Sequence, residues 1–302
     1  MKYSIENCIK IVFFDDWRCK KPQTSFVGSV DEAGYEGRNM AAACVLTALD
    51  HALAQVLLSR GMLDGLTFLV SQDRLATVKE RYAMEQLANP TALLGYKADP
   101  GDALFLSFEG MPSQIDVPDG ARHMVVGFGE GEGIAELEVI NVRIHDMLPP
   151  LLNSQDSTMF RSWMETSLRG EVPEILPNER FWFDLNDAVA ALIELIKGRP
   201  ETVTYNLAGR RGWTLEETWT EFHPLVQRAK AGQHGAFAIE HLVAQGVPSV
   251  GVKEITDGGH NQRPSLSSIH AYLEKATGEG WRPKTPLRQS LMLVIADLNQ
   301  AL

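Results

Sequence analysis

Apolar positions recur along this chain in two periods, and the second half shows the alternation most plainly. Val139, Ile140, Val142 and Ile144 put β-branched residues into one short run, the make-up of a buried strand, and Pro149-Pro150 then turns the chain. The segment TMFRSWMETSLR, Thr158–Arg169, changes to helical spacing and reads as an amphipathic helix. A short strand, a helix, another strand and a Gly209-Arg210-Arg211-Gly212 loop follow. Thr214 with Glu217 three positions on predicts an N-cap and capping box. Helices are expected over Ser265–Thr277 and Leu287–Leu302. This alternation predicts an α/β layered domain.

Upstream, Ile9–Phe14 (IKIVFF) predicts an added edge strand or arm, and Phe26–Val30 the first strand of the main sheet. Arg38–Arg60, rich in Ala and Leu and ended by Gly61, predicts one long helix. Leu66–Val70 is the second strand. The runs at Phe26, Leu66, Leu104, Met124 and Val139 are expected to be neighbouring parallel strands, with Val125 and Val139 in the same sheet.

Five motifs in order carry a family resemblance. Arg143-Ile144-His145-Asp146-Met147-Leu148-Pro149-Pro150 falls on R-x-x-N-x-Y-G-P, and Leu168-Arg169-Gly170-Glu171 on L-x-G-E. Arg180-Phe181-Trp182-Phe183-Asp184-Leu185-Asn186-Asp187-Ala188 falls on R-D-F-V-H-V-D-D-V. Tyr205-Asn206-Leu207-Ala208-Gly209 with Thr214-Leu215-Glu216-Glu217 falls on Y-N-V-G and T-L-x-E, and Gly280–Leu287 on G-W-x-P-x-T-S-L. The chain thus resembles the NAD-dependent epimerase/dehydratases, the extended short-chain dehydrogenase/reductases. The resemblance implies a Rossmann-like doubly wound parallel sheet with a smaller C-terminal substrate lobe. It divides the chain into an extension over 1–24, a degenerate core over 25–150 and a substrate lobe over 151–302, interleaved with the last core elements.

The resemblance also locates what has changed. The glycine fingerprint aligns with Asp31–Asn39, where Gly34 and Gly37 remain and Asp31 and Glu32 stand beside the expected pyrophosphate. Asp73 and Arg74 take the ribose position, Tyr96 the adenine position, and Phe108 and Glu109 replace two small alanines. None of the six tyrosines has lysine four positions on, so the Tyr-x-x-x-Lys acid/base pair is missing. The expectation is that no cofactor is bound; NAD(P) held by altered contacts is the alternative.

Net charge of −11 and a pI near 5.2 argue against nucleic acid or an anionic membrane as partner. The three cysteines, Cys8, Cys19 and Cys44, make neither a disulfide framework nor a metal pattern. No apolar run is long enough to span a membrane and the N-terminus lacks the marks of a signal peptide, so a cytoplasmic protein is expected, with a homodimer open.

The remaining chemistry collects at the expected substrate cleft, bordered by Gly127–Gly133, Arg143–Pro150 and Arg180–Asp184. His145 is the candidate acid/base, with Asp146 orienting it or Glu130 as its counterpart. Arg180 is the candidate anchor for an anionic or polar group, and Arg143, Asp184 and Glu132 complete the expected substrate contacts. Two functions fit: an enzyme carrying out a non-redox step on a small metabolite (isomerisation, cyclisation, dehydration or hydrolysis), or a non-catalytic binding protein on the same fold.

Overall fold

Alternate residues of the central strands part to opposite faces of one sheet. In the computed structural model, which describes residues 42–97, 101–129, 138–151, 154–239 and 263–300, the strands are β1 (Ala43–Leu46), β2 (Thr67–Val70), β3 (Leu93–Gly95), β4 (Leu104–Phe108), β5 (His123–Phe128), β6 (Val139–Ile144) and β10 (Thr204–Leu207). All pairings are parallel, in the order β10-β6-β5-β4-β1-β2-β3. Cys44, Leu46, Phe68, Val70, Leu104, Leu106 and Phe108 point into the large core, while Val45 and Phe105 point into a small cluster on the other face. Parallel strands buried on both faces need continuous apolar runs, which these are.

The large core is closed by helices α1 (Ala52–Leu63) and α5 (Leu185–Lys197), which pack on each other. Between β2 and β3 lie α2 (Gln72–Arg81) and α3 (Ala83–Ala88). No helix joins β4 to β5; the segment after β4 covers the second face, with Ile115 buried beside Val45, Ala103 and Phe105. The strand order reverses between β1 and β4, so the loops at their carboxyl ends splay apart into a crevice.

The chain leaves β6 through β7 (Met147–Leu148) into α4 (Gln155–Arg169), then through β8 (Glu179–Arg180) and β9 (Phe183–Asp184) into α5. After β10 come β11 (Trp213–Thr214), α6 (Leu215–His234), α7 (Ser267–Thr277) and α8 (Leu287–Gln300). α4, α6 and α8 bury a second, aromatic core of Phe160, Trp163, Trp182, Trp219 and Phe222. The Trp182 indole N–H donates to Thr218 Oγ1 at 3.0 Å, so this core has no stranded donor. The Thr214–Glu217 capping box forms as its sequence predicts.

The expected strands at Leu66, Leu104, Met124 and Val139 lie in one parallel sheet; the last three are side by side, with Met124 facing Ile140, and the strand at Leu66 is separated from them by β1. The first strand is a correction. Ala43–Leu46, expected inside a helix over Arg38–Arg60, is an interior strand between β4 and β2, and the helix starts only at Ala52. A short Ala-Cys-Val-Leu run has no period to separate strand from helix, and burial on both faces decides it. The expected strands at Ile9–Phe14 and Phe26–Val30 lie outside the described residues.

His51 sets where α1 begins. Its Nδ1 accepts the Leu53 N–H at 3.2 Å, and its ring stacks on Phe108, 4.5 Å away and nearly parallel, and on Phe128 at 5.0 Å. Burial holds the imidazole below its ordinary pKa. Protonation then costs the folded state a buried charge and the cap acceptor. Stability from this group is complete above the ordinary histidine value of ~6.5 and is lost as pH falls below it. Denaturant melts stepped from pH 7.5 to 5 should show wild type losing stability relative to His51→Asn, a cap that does not titrate; a flat difference excludes the effect. Gly209 allows a close crossing, since a Cβ there would overlap the Trp182 carbonyl oxygen and crowd that of Phe181. Gly209→Ala should cost about 1–3 kcal/mol in the same assay.

Candidate functional site

The carboxyl ends of β5 and β6 open into a cleft of about 460 Å³. Phe128 and Gly129 form one side, Ile144 to Met147 the floor, Pro150, Leu151 and Ser154 to Asp156 the far wall, and Arg180, Phe181 and Pro264 close it. Six parallel pairs between β5 and β6 put Phe128 level with Ile144, and the Gly129 N–H extends that ladder to the Ile144 carbonyl at 2.9 Å. The loops that follow start from one rigid level.

His145 is held by backbone and side chain. Its N–H donates to the Leu207 carbonyl at 2.9 Å, and its Nε2 lies 3.1 Å from Asn206 Oδ1. The Asn206 amide nitrogen donates to the Ser265 carbonyl at 3.1 Å, which turns Oδ1 toward the histidine. Nε2 therefore carries the proton as donor, and Nδ1 is left as the accepting nitrogen of the neutral ring.

Asp146 follows in the left-handed region, with φ of 52°. Few residues other than glycine adopt that conformation; Asp and Asn do so most readily. Its Oδ2 accepts the Phe181 N–H at 2.7 Å and its Oδ1 lies 3.4 Å from Arg180 Nε. Burial pushes its carboxyl above the usual aspartate range, and nearby Asp156 adds to that. The Phe181 N–H, the Arg180 charge and His145 oppose it. Asp156, in the first turn of α4 beyond the Ser154 cap, reaches Arg180 Nη2 at 3.2 Å. No motif singled out Asp156; its only sequence signal was an acidic residue in the first turn of a helix. Arg180 thus lines the cleft as expected, but its Nε and Nη2 face two carboxylates.

Two expected substrate residues stand elsewhere. Asp184 is fully buried: it caps α5, accepting the Asn186 N–H at 2.8 Å and the Ser290 hydroxyl at 2.6 Å. Arg143 is buried under Gly127 and paired with Glu109, outside the cleft lining. A charged residue in a matching motif position can serve the fold's own hydrogen bonds, and both do. Glu130 and Glu132 lie outside the described residues, as do Gly34, Gly37, Asp31 and Glu32.

The helix end after β1 is where this type of sheet receives a dinucleotide. Here the turn Thr47–His51 has no glycine, the Leu53 N–H is taken by His51, and His51, Phe108 and Phe128 stack over the crevice. These residues do not fit a pyrophosphate held against a glycine turn. After β2, Asp73 is exposed and hydrogen-bonded by Ser71, and Arg74 pairs with Asp50 at 2.7 Å. Gln72 lies across Gly95 and donates to the Tyr96 carbonyl at 3.3 Å. Among the described residues no cluster of His, Cys, Asp and Glu is arranged to hold a metal, and no helix is long and apolar enough to cross a membrane.

No family model and no curated protein matches the chain. Solved structures do. RMD from Pseudomonas aeruginosa, solved with NADPH, is 14% identical with a TM-score of 0.47, covering 87% of this chain and 99% of that one. WbmF from Bordetella bronchiseptica, solved with NAD+ and UDP, is 11% identical with a TM-score of 0.47, covering 86% and 93%. The dTDP-glucose 4,6-dehydratase of Bacillus anthracis, solved with NAD, is 11% identical with a TM-score of 0.45, covering 86% and 97%. The expectation of no cofactor is corrected by this finding, because these neighbours were solved with NAD(P). By its own strand order the chain has a Rossmann-like α/β fold, and its structural neighbours are enzymes of the NAD-dependent epimerase/dehydratase family, the family its sequence resembles.

Proposed function

We propose that this chain is an atypical epimerase/dehydratase-like enzyme that moves a proton on a small polar metabolite in the cleft between β5, β6 and α4. The reaction class is an isomerisation or dehydration of the kind that begins by removing a proton from carbon. The observation that carries the reading is His145, whose hydrogen bond to Asn206 assigns Nδ1 as the accepting nitrogen, in an open cleft with a half-buried carboxyl next to it. His145 Nδ1 takes the proton as general base and returns it as general acid. Asp146, held against the Phe181 N–H, sits beside the ring and stabilises its protonated form. A nucleotide such as the neighbours carry enters this reading only through contacts other than a glycine turn, and no step is routed through it. The openness of the cleft favours an enzyme over a binding protein with a sealed crevice.

The test is solvent exchange. Purified protein incubated in D2O with pooled hydroxylated metabolites should place deuterium on carbon in one of them, read by mass spectrometry. His145→Ala should lower that incorporation by about 10²-fold or more while its melting curve is kept. Incorporation unchanged in the variant removes His145 from the chemistry. Asp146 supplies a pH test. Its raised carboxyl binds a proton more tightly in the folded state. Stability is therefore lost as pH rises from the ordinary aspartate value of ~3.9 through the folded one. Wild type should fall relative to Asp146→Asn across that rise in denaturant melts, and the opposite slope excludes a raised Asp146.

A further inference from the structure

The charges that line the cleft limit what it can hold. Arg180 is its permanently charged cation among the described residues, and it does not face the opening freely. Nε lies 3.4 Å from Asp146 Oδ1, and Nε and Nη2 lie 3.4 and 3.2 Å from Asp156 Oδ1. The three side chains are only 18%, 19% and 21% exposed, so water screens them little. Two carboxylates against one guanidinium leave the trio one unit negative when ionised. An anionic group brought to Arg180 meets both carboxylates at close range, or must displace them. A cationic group meets the reverse: it can share Asp156 with Arg180 and offset the excess charge. Next to the trio, Gln155 and the His145 ring offer partners for hydroxyl groups, and Phe181 and Leu151 offer apolar wall.

We propose that the cleft selects a small hydroxylated molecule bearing a protonated amine, and that Arg180, tied to Asp146 and Asp156, excludes phosphate and diphosphate groups from that end of the site. Asp156 is the specificity-determining residue: it receives the ammonium group and, by holding Arg180, withholds the guanidinium from anions. This rests on the reading of the cleft as the substrate site and names the substrate class that site would take.

The experiment uses three probes of one frame: glucosamine, glucose and glucose 1-phosphate. Binding to the full chain is measured by calorimetry, and the His145 ring resonances report that it occurs in the cleft. Glucosamine should bind about tenfold or more tightly than glucose, the difference expected of a charge-assisted hydrogen bond, with glucose 1-phosphate the weakest. Asp156→Asn should bring glucosamine down to the level of glucose and strengthen glucose 1-phosphate. Arg180→Gln, which keeps both carboxylates, should hold or raise glucosamine affinity, and it carries the test if Asp156→Asn does not fold. Glucose 1-phosphate binding tightest, or all three binding alike with His145 shifted, overturns the amine proposal while the cleft remains a binding site. If no probe moves the His145 resonances, the reading of the cleft itself falls, and the proposal with it.

Discussion

Parallel pairing of β5 with β6 is the constraint on which the rest of the site depends. Six successive pairs, then the Gly129 N–H bonded to the Ile144 carbonyl, bring two strand ends to one level. β10 joins on the other side of β6, and the Leu207 carbonyl takes the His145 N–H. His145 is therefore placed by its own backbone bond to β10, directly after an Ile144 carbonyl that is bonded from the β5 side, before any side chain acts on it. A side chain on a rigid strand end can be aimed by one further bond, and Asn206 supplies it.

Electrostatics then give the cleft its character. In a half-buried site the interaction between charges is several times stronger than in open water, and an uncompensated ion is costly. Arg180 compensates Asp146 and Asp156 together, and the Phe181 N–H adds a fixed donor to Asp146. Burial still wins at Asp146, whose carboxyl is held above its ordinary range. An acid displaced in this way, beside a histidine of assigned tautomer, is the arrangement general acid–base chemistry calls for.

The crevice at the start of α1 is built differently. A glycine turn leaves helix N–H groups bare for a phosphate, whereas His51 satisfies one of them from within and its ring stacks with Phe108 and Phe128. Phe128 also lines the cleft, so the packing at the helix end and the shape of the cleft share a side chain. No helix lies between β4 and β5. The second face is covered there by a short loop around Ile115, and the sheet leans on α1 and α5 for its main core.

Much of this was legible from residue order. The apolar runs at Leu104, Met124 and Val139, the amphipathic α4 and the Thr214–Glu217 cap form where local spacing places them, because strand alternation, helical period and capping are short-range effects. The gathering of His145, Asp146 and Arg180 at one opening followed from motifs whose spacing reflects strand ends. What lies at long range did not. Ala43–Leu46 became an interior strand because two neighbours bury it, and nothing local marks that choice. Asp184 and Arg143 have the same chemistry as ligand-binding residues. Only the tertiary structure decided that one caps α5 and bonds Ser290 while the other pairs with Glu109. Asp156 entered the site because α4 folds back on β8, and which carboxylate a guanidinium meets is settled by packing across a sequence gap, not by the residues on either side of it.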